Sequence, residues 1–149
     1  MSKAGERGVL ARGLGRSYGD AAQDGGGTVL DMRGIAQIEL DASAGMVTAG
    51  AGASLDDILT QIVPQGFFVP VTPGTRMITV GGAIAADVHG KNHHVEGSFG
   101  SHVHSLDLVD GTAQARTLIP EESEFWATVA GMGLTGVVTK ATFDLIPIS

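Results

Sequence analysis

Histidine is the most prominent residue type able to do chemistry in this sequence. Five histidines fall between residues 89 and 104, namely His89, His93, His94, His102 and His104. His89 and His93 are four residues apart, a spacing at which two imidazoles on one helix face can bind zinc. Gly90 and Gly97 disfavour a regular helix here. The segment therefore does not predict a metal site, and we expect polar loop residues, some of them facing a ligand.

A serine lies in a second segment with chemical potential, Gly15-Arg-Ser-Tyr-Gly19, which matches the G-x-S-x-G pattern of a nucleophile elbow. Such an elbow leads directly into a helix. Residues 20–27 follow instead, and they end in three consecutive glycines that cannot support a long helix. The sequence therefore argues against a serine hydrolase.

A third segment, Gly50-Ala-Gly-Ala-Ser-Leu55, lies between a predicted strand and a predicted helix, as a dinucleotide-binding fingerprint does. Its sixth residue is leucine, where the fingerprint requires glycine or alanine. The fingerprint also needs an acidic residue about 20 positions further on to bind a ribose, and none is present there. We therefore predict a tight strand-to-helix turn and no Rossmann site.

Glycine itself is concentrated in three segments rich in small residues: 12–19, 73–90 and 131–136. If these segments converge, they present many backbone N–H donors with little side-chain bulk, which suits an extended anionic ligand. The alternative is that all three are only tight turns. We favour ligand binding.

Composition excludes several classes of protein. The chain has 149 residues, of which 43% are apolar and 23 are glycine without a three-residue period, so it is neither disordered nor collagen-like. The net charge of −7 argues against nucleic-acid binding, although backbone N–H groups can still hold an anionic cofactor. With no cysteine, the chain has no disulfide, thiolate metal site or cysteine nucleophile.

Targeting signals are not apparent in the sequence. No run approaches 18 uninterrupted apolar residues, so we expect no transmembrane segment. Residues 1–8 lack the apolar stretch of a signal peptide. Localisation remains open.

The elements that position these segments are short. Hydrophobic patterning predicts strands at 9–11, 28–31, 35–40, 46–49 and 136–146, with a hairpin at the Asp110-Gly111 pair. Helices are predicted after Ser54, from 80 to 86 behind Thr79, and from 121 to 130. This order does not repeat βαβ units and predicts an α+β fold. A break near residues 64–73 divides the prediction into a lobe of about 1–66 and a lobe of about 70–149.

Several of these segments together resemble a known cofactor domain. They are Arg12–Asp20, Pro73–Arg76 with Thr79–Ala85, the His89-Gly90 pair, and Gly131–Val138. They are similar to the PCMH-type FAD-binding domain of the vanillyl-alcohol oxidase superfamily. The resemblance implies two small α/β lobes with short mixed and antiparallel sheets, few helices, and FAD as the cofactor.

Other segments are similar to one branch of that superfamily, the oxidase subunits of decaprenylphosphoryl-β-D-ribose 2′-epimerases of actinobacterial cell-wall synthesis. They are His89–His94, Gly97–Gly100 and Phe125–Val129. The resemblance implies a flavin-dependent oxidoreductase that oxidises a CH–OH group, at C2′ of decaprenylphosphoryl-ribose. The alternatives are a non-catalytic FAD- or nucleotide-binding module, and a structural domain with vestigial loops.

The resemblance also implies a set of site residues. His89 and Lys91 would be catalytic, with Lys91 on the substrate side. The implied cofactor-binding residues are Arg12, Gly13, Leu14, Gly15, Arg16, Ser17, Tyr18, Pro73, Gly74, Thr75, Arg76, Thr79, Gly81, Gly82, Ala86, His89, Gly90, Asn92, Gly133, Gly136 and Val137. Many members attach FAD through a histidine where this chain has Arg16, so non-covalent FAD is expected. Ala86 stands where some relatives carry a cysteine. No metal is expected.

Family members place a substrate-binding domain after the position of Ser149 and begin earlier than Val9. We therefore expect incomplete FAD retention and negligible turnover by this chain alone. A polyprenyl-phosphosugar substrate would bind through that further domain, and a reductase partner would complete the epimerisation.

Overall fold

The computed structural model describes residues 7–149, which form an α+β fold of short elements. The strands are β1 (Val9–Arg12), β2 (Thr28–Asp31), β3 (Ile38–Asp41), β4 (Met46–Gly50), β5 (Phe67–Phe68), β6 (Val103–Val109), β7 (Ala115–Leu118), β8 (Val137–Asp144) and β9 (Ile146–Pro147). The helices are α1 (Leu55–Ile62), α2 (Val80–Ala85), α3 (His93–Glu96) and α4 (Ser123–Thr128), with 3₁₀ turns at 32–34, 63–65 and 99–102. The predicted fold class is confirmed.

The largest sheet has five antiparallel strands in the order β3-β4-β8-β6-β7. β1 and β2 form a separate parallel pair, and β5 pairs with β9. The five-stranded sheet combines strands from both predicted lobes, since β4 (Met46–Gly50) lies beside β8 (Val137–Asp144). The chain therefore does not separate at residues 64–73 as the turn residues there had suggested, because strand pairing brings the distant segment back across that break.

The core lies between one face of this sheet and helices α1 and α2. Alternation along the strands buries one face, as expected for an antiparallel sheet covered on one side. Fully or almost fully buried side chains on this face and on the helices include Val47, Ala49, Leu55, Ile58, Ile62, Val80, Ile84, Leu106, Leu108, Ala141 and Phe143. Phe99, in the 3₁₀ turn at 99–102, packs against the central strand β8, with its ring centroid 5.0 Å from that of Phe143. Each such large side chain contributes about 1.5–3 kcal/mol of burial free energy.

α1 begins and ends where the sequence predicts. The Ser54 hydroxyl accepts a hydrogen bond from the Asp57 N–H at 3.0 Å, and the Asp57 carboxylate accepts one from the Ser54 N–H at 3.1 Å. These reciprocal bonds form a capping box. Gly66, with φ of 84°, ends the 3₁₀ turn that follows α1.

The strand-to-helix turn before α1 requires glycine for packing. A Cβ on Gly52 would lie 1.8 Å from the carbonyl oxygen of Met32, so the two backbones touch directly. Residues 50–55 therefore form the predicted tight turn between β4 and α1.

Two further elements agree with prediction but differ in extent. β6 and β7 form the predicted hairpin, whose turn is held by the Asp110 carboxylate. The helix predicted over 121–130 is shorter, because Val129 leaves the helical conformation with ψ of 128°. Across residues 7–149, no helix is long and apolar enough to cross a membrane.

Candidate functional site

The first glycine segment (12–19) leaves the end of β1 as an exposed loop. Gly15 and Gly19 have φ of 65° and 60°, a conformation that glycine adopts without strain. Within residues 7–149, the N–H groups from Leu14 to Tyr18 donate no hydrogen bond to the protein. They are therefore open backbone donors, and the side chains of Arg16, Ser17 and Tyr18 project into solvent.

Gly13 brings this segment against the second glycine segment (73–90). A Cβ on Gly13 would lie 2.3 Å from the Thr79 hydroxyl oxygen, so a side chain cannot be accommodated there without movement. Thr79 is buried and caps α2 by accepting a bond from the Gly82 N–H at 3.3 Å. The first segment therefore packs on the start of α2.

The start of the second segment also has backbone N–H groups without a protein partner among the described residues. The N–H groups of Gly74, Thr75 and Arg76 donate no hydrogen bond within residues 7–149, and a Cβ on Gly74 would meet nothing within 4 Å. The Arg76 guanidinium lies 2.8 Å from the carboxylate of Asp56 on α1. Arg76 therefore has a partner on α1, and the backbone of Gly74 and Thr75 supplies the open donors.

The two glycines inside α2 have different surroundings. A Cβ on Gly81 would lie 3.1 Å from the Cβ of Ala51, and the Gly81 N–H donates to the Ala51 carbonyl at 2.9 Å. A Cβ on Gly82 would meet only the Thr79 hydroxyl, at 3.3 Å. Gly81 is therefore a packing residue, whereas Gly82 faces the open side together with Ala86, which is also exposed.

The histidine loop (residues 89–98) borders an open cleft of about 570 Å³. The cleft is lined by Thr72, Pro73, Gly74, His89, Gly90, Lys91 and His93. Gly90 is buried, and a Cβ there would lie 2.5 Å from the Thr72 carbonyl oxygen. The Asn92 side-chain amide donates a hydrogen bond to the Pro70 carbonyl at 2.9 Å, and this bond ties the loop to the chain at Pro70. Lys91 is exposed and forms no ion pair within residues 7–149.

The histidines do not form a metal site. The His89 and His93 rings meet edge-on at 5.3 Å, and those of His93 and His94 lie 3.8 Å apart. His102 and His104 point elsewhere, to the Glu96 carbonyl at 2.8 Å and the Asp144 carboxylate at 2.7 Å. Among the described residues, no group of three metal-ligating side chains is close enough to hold an ion.

The third glycine segment (131–136) is attached to the end of α2. The Met132 N–H donates to the Ala85 carbonyl at 2.9 Å, and Gly133, with φ of 80°, has no neighbour within 4 Å of an added Cβ. Gly136 belongs to a different environment, because its Cβ would lie 2.5 Å from the Val109 carbonyl oxygen on β6. Val137 is buried in β8. Gly133 thus lies in the segment that Met132 bonds to the end of α2, whereas Gly136 packs against β6 and Val137 begins β8.

Beside the first segment, two arginines and one aspartate line the same crevice, so one positive charge has no partner among these three side chains. The Arg33 guanidinium bonds the Asp31 carboxylate at 2.9 Å and lowers the pKa of Asp31 to about 2. These two residues and Arg12 line a crevice of about 300 Å³ with Gly13, Leu14 and Val29. Because Asp31 is committed to Arg33, Arg12 adds net positive charge beside the open N–H groups.

Residues 1–119 match the family described as the FAD binding domain. The chain belongs to this family. The prediction that FAD is the cofactor is thereby confirmed. In this FAD-binding domain, glycines coincide with N–H groups that have no protein partner within residues 7–149 in two places, the first segment and residues 74–76, both near the start of α2.

Individual relatives extend the similarity over almost the whole chain. The domain is 51% identical to decaprenylphosphoryl-β-D-ribose oxidase of Mycolicibacterium smegmatis over 98% of this chain and 33% of that protein. It is 28% identical to alditol oxidase of a Streptomyces species, over 94% of this chain and 34% of the relative. It is 31% identical to cytokinin dehydrogenase 10 of Oryza sativa, over 93% and 27%. The chain spans about a third of the length of these relatives.

The described residues fit FAD. A diphosphate needs several backbone N–H donors on a surface free of bulk, and the first and second segments supply both around Gly13, Gly74 and Gly82. The cleft at the histidine loop has the volume of an ordinary small-molecule site.

Sequence reasoning did not select Asp87. It lies one residue beyond Ala86 with φ of 43°, and its carboxylate holds the returning end of the histidine loop. The sequence gives only a weak signal for this role. Aspartate tolerates positive φ more readily than most residues, so an aspartate directly after a helix indicates a turn and does not indicate which distant groups it contacts.

Proposed function

We propose that this FAD-binding domain serves an oxidoreductase that oxidises a CH–OH group, and that the substrate is a polyprenyl-phosphosugar oxidised at C2′ of its ribose. One observation carries the proposal: within residues 7–149, Gly74, whose N–H is open, lines the same cleft as His89 and Lys91, and the first segment packs on Thr79 at the start of α2. The 51% identity to decaprenylphosphoryl-β-D-ribose oxidase supports the choice of substrate class.

The loops would hold the cofactor by its diphosphate. The N–H groups of the first segment and of Gly74 and Thr75 would donate to phosphate oxygens, with Arg12 supplying a positive charge. Gly82 would leave room for the cofactor to pass. Arg16 stands exposed in the first segment and cannot form the histidyl link that many relatives use, so we propose non-covalent binding.

The cleft would hold the reacting end. FAD, when bound, supplies the hydride acceptor. His89 and Gly90 would lie beside its ring, and Lys91 would donate hydrogen bonds to a sugar hydroxyl or to the prenyl-linked phosphate. Gly90 keeps the loop close to Thr72 so that these side chains stay at the cleft.

The activity of the complete enzyme is part of the proposal. We place substrate recognition in a further substrate-binding domain, and we propose a reductase partner that completes epimerisation of the oxidised sugar. By itself the present chain would turn over negligibly, because one side of its cleft is open.

The visible absorption spectrum tests cofactor binding directly. The purified chain is measured before and after incubation with FAD and desalting, and again after acid precipitation. Flavin bands that remain after desalting and are released by acid support non-covalent binding. Bands that stay with the acid-precipitated protein contradict it, and a protein that stays colourless contradicts retention by this chain.

The oxidoreductase proposal needs a separate measurement. The chain is combined with the substrate-binding part of a relative and offered decaprenylphosphoryl-ribose under anaerobic conditions. Bleaching of the flavin bands by the substrate supports the proposed reaction. A flavin-loaded assembly that no prenylphosphoryl ribose bleaches favours the non-catalytic binding module instead.

A further inference from the structure

The histidine loop is closed at its neck by a single carboxylate. The Asp87 Oδ2 accepts a hydrogen bond from the Ser98 hydroxyl at 2.7 Å, and its Oδ1 accepts one from the Gly100 N–H at 2.8 Å. Both donors lie where the chain returns from the loop, one at its last residue, Ser98, and one at Gly100 in the 3₁₀ turn that follows. Asp87 lies two residues before His89, where the loop begins. The Asp87 side chain therefore links the segment that enters the loop to the segment that leaves it.

Backbone contacts at the same neck show that the closure is tight. The Phe99 N–H donates to the Val88 carbonyl at 2.9 Å, and His89 pairs with Ser98 as an isolated bridge. A Cβ on Gly100 would lie 3.0 Å from Asp87 Oδ1 and 2.4 Å from a Val129 methyl. At Gly100 the returning segment therefore lies directly against both Asp87 and Val129.

Asp87 adopts a backbone conformation that most residues avoid. Its φ of 43° costs free energy unless the surroundings hold it. Its N–H donates to Ile84 at 3.0 Å, so the turn is fixed to α2, the helix that carries Gly82. The strained turn, the two accepted bonds and α2 together determine where His89 leaves the helix.

We propose that Asp87 is a positioning residue that closes the histidine loop and thereby holds His89 and Lys91 at the flavin end of the cleft. This rests on the proposed function for the roles of His89 and Lys91. Asp87 itself touches neither substrate nor cofactor in the proposal. It acts through the two bonds it accepts and through the angle at which the chain leaves α2.

The test compares four variants of the full chain, measured both free of FAD and loaded with it. Asp87→Ala removes both accepted bonds, and Asp87→Asn keeps one acceptor oxygen. Ser98→Ala removes a single donor and leaves the Gly100 bond intact. Asp110→Ala is the matched control, because the Asp110 carboxylate also accepts bonds from a nearby hydroxyl and N–H, in the β6–β7 turn away from the cleft.

In the FAD-free protein, we expect Asp87→Ala to accelerate amide hydrogen exchange at Gly97, Phe99 and Gly100 by about tenfold relative to β8 amides. Asp110→Ala leaves these three amides unchanged. In the loaded protein, Asp87→Ala weakens FAD binding by about tenfold and alters the visible circular dichroism of the flavin. Ser98→Ala and Asp87→Asn give smaller changes of the same kind.

Two results would overturn the inference. One is unchanged exchange at the loop neck in Asp87→Ala together with unchanged exchange in Ser98→Ala. The other is faster exchange with unaltered flavin affinity and dichroism, since the closure would then not position the site. If Asp87→Ala fails to fold, Ser98→Ala and Asp87→Asn decide by the same criteria. Failure of the loaded enzyme to oxidise any prenylphosphoryl ribose would contradict the proposed function and leave the closure standing.

Discussion

At the scale of single residues, the glycines of the first two segments differ in their surroundings and therefore in what they contribute to the site. Gly13 and Gly81 allow close packing, because an added Cβ would lie 2.3 Å from the Thr79 hydroxyl oxygen and 3.1 Å from the Ala51 Cβ respectively. Gly74 has open space beside it, and an added Cβ on Gly82 would meet only the Thr79 hydroxyl, at 3.3 Å. The first pair is needed to build the site, and the second pair keeps it free for a ligand.

Gly82→Val should abolish FAD binding while the fold remains intact. The new side chain meets only the Thr79 hydroxyl in the protein, and it projects into the space that the cofactor would occupy. Fluorescence titration with FAD measures the loss, and thermal unfolding confirms the fold. Gly111→Val is the control for a valine placed on an exposed glycine, since an added Cβ on Gly111 meets nothing within 4 Å and Gly111 lies in the distant β6–β7 turn.

Lys91→Ala provides the opposite expectation. Because Lys91 is assigned to the substrate side, its loss should leave the dissociation constant for FAD within about twofold. The same titration measures it. If Lys91→Ala and Gly82→Val weaken FAD binding alike, the assignment of the two faces is wrong.

At the scale of elements, α2 is the element on which the candidate site is built. The first segment packs against its capping residue Thr79, the third segment bonds the Ala85 carbonyl, and the histidine loop leaves from its end. Helical patterning and the Thr79 cap predicted this helix. Its neighbours could not be predicted, because the contacts to Gly13 and Met132 join residues far apart in the sequence.

Asp107 on β6 makes the sheet sensitive to acid. Partial burial works to raise the pKa of Asp107, but hydrogen bonds from Thr117 and Lys140 outweigh it and hold the pKa below its ordinary value. The Lys140 ammonium lies 3.0 Å away on β8. A carboxyl with a lowered folded-state pKa adds stability above its unfolded pKa of about 3.9, and this stability is lost as the pH falls through the folded value.

Asp107→Asn should therefore cost up to about 1 kcal/mol of unfolding free energy at pH 7, a modest value because both side chains are partly exposed. The difference from the unmodified chain should shrink as the pH falls from about 4 toward the lowered folded-state pKa. Urea unfolding at several pH values measures it. Glu39→Gln, which neutralises an exposed carboxylate on β3, is the control for the loss of one surface charge at pH 7. A difference that stays constant with pH would contradict the assignment.

At the scale of the whole molecule, strand pairing overrides the apparent division of the sequence. β3 and β4 would form only a two-stranded hairpin without β8, and such hairpins are marginally stable in water. The core residues Val47 and Phe143, which pair across β4 and β8, are also far apart in the sequence. The two halves therefore share one sheet and one core, and we expect them to fold as one unit.

Separate chains of residues 1–66 and 67–149 should each lack cooperative thermal unfolding and dispersed amide signals in NMR spectra. Mixing them should restore both properties, since β4 and β8 can then pair. Either fragment folding alone would contradict the single unit. The intact 149-residue chain at the same concentration is the reference.

The sequence by itself determined the fold class, most of the strands and helices, and the glycine segments that suit an extended anionic ligand. These follow from local physics: hydrophobic periodicity, helix caps such as Ser54, and the backbone freedom of glycine. Only the tertiary structure decided the pairing of β4 with β8, the closure of the histidine loop by Asp87, and the separation of Gly82 from Gly81. Each depends on which distant atoms come within a few ångströms, and no local pattern specifies that.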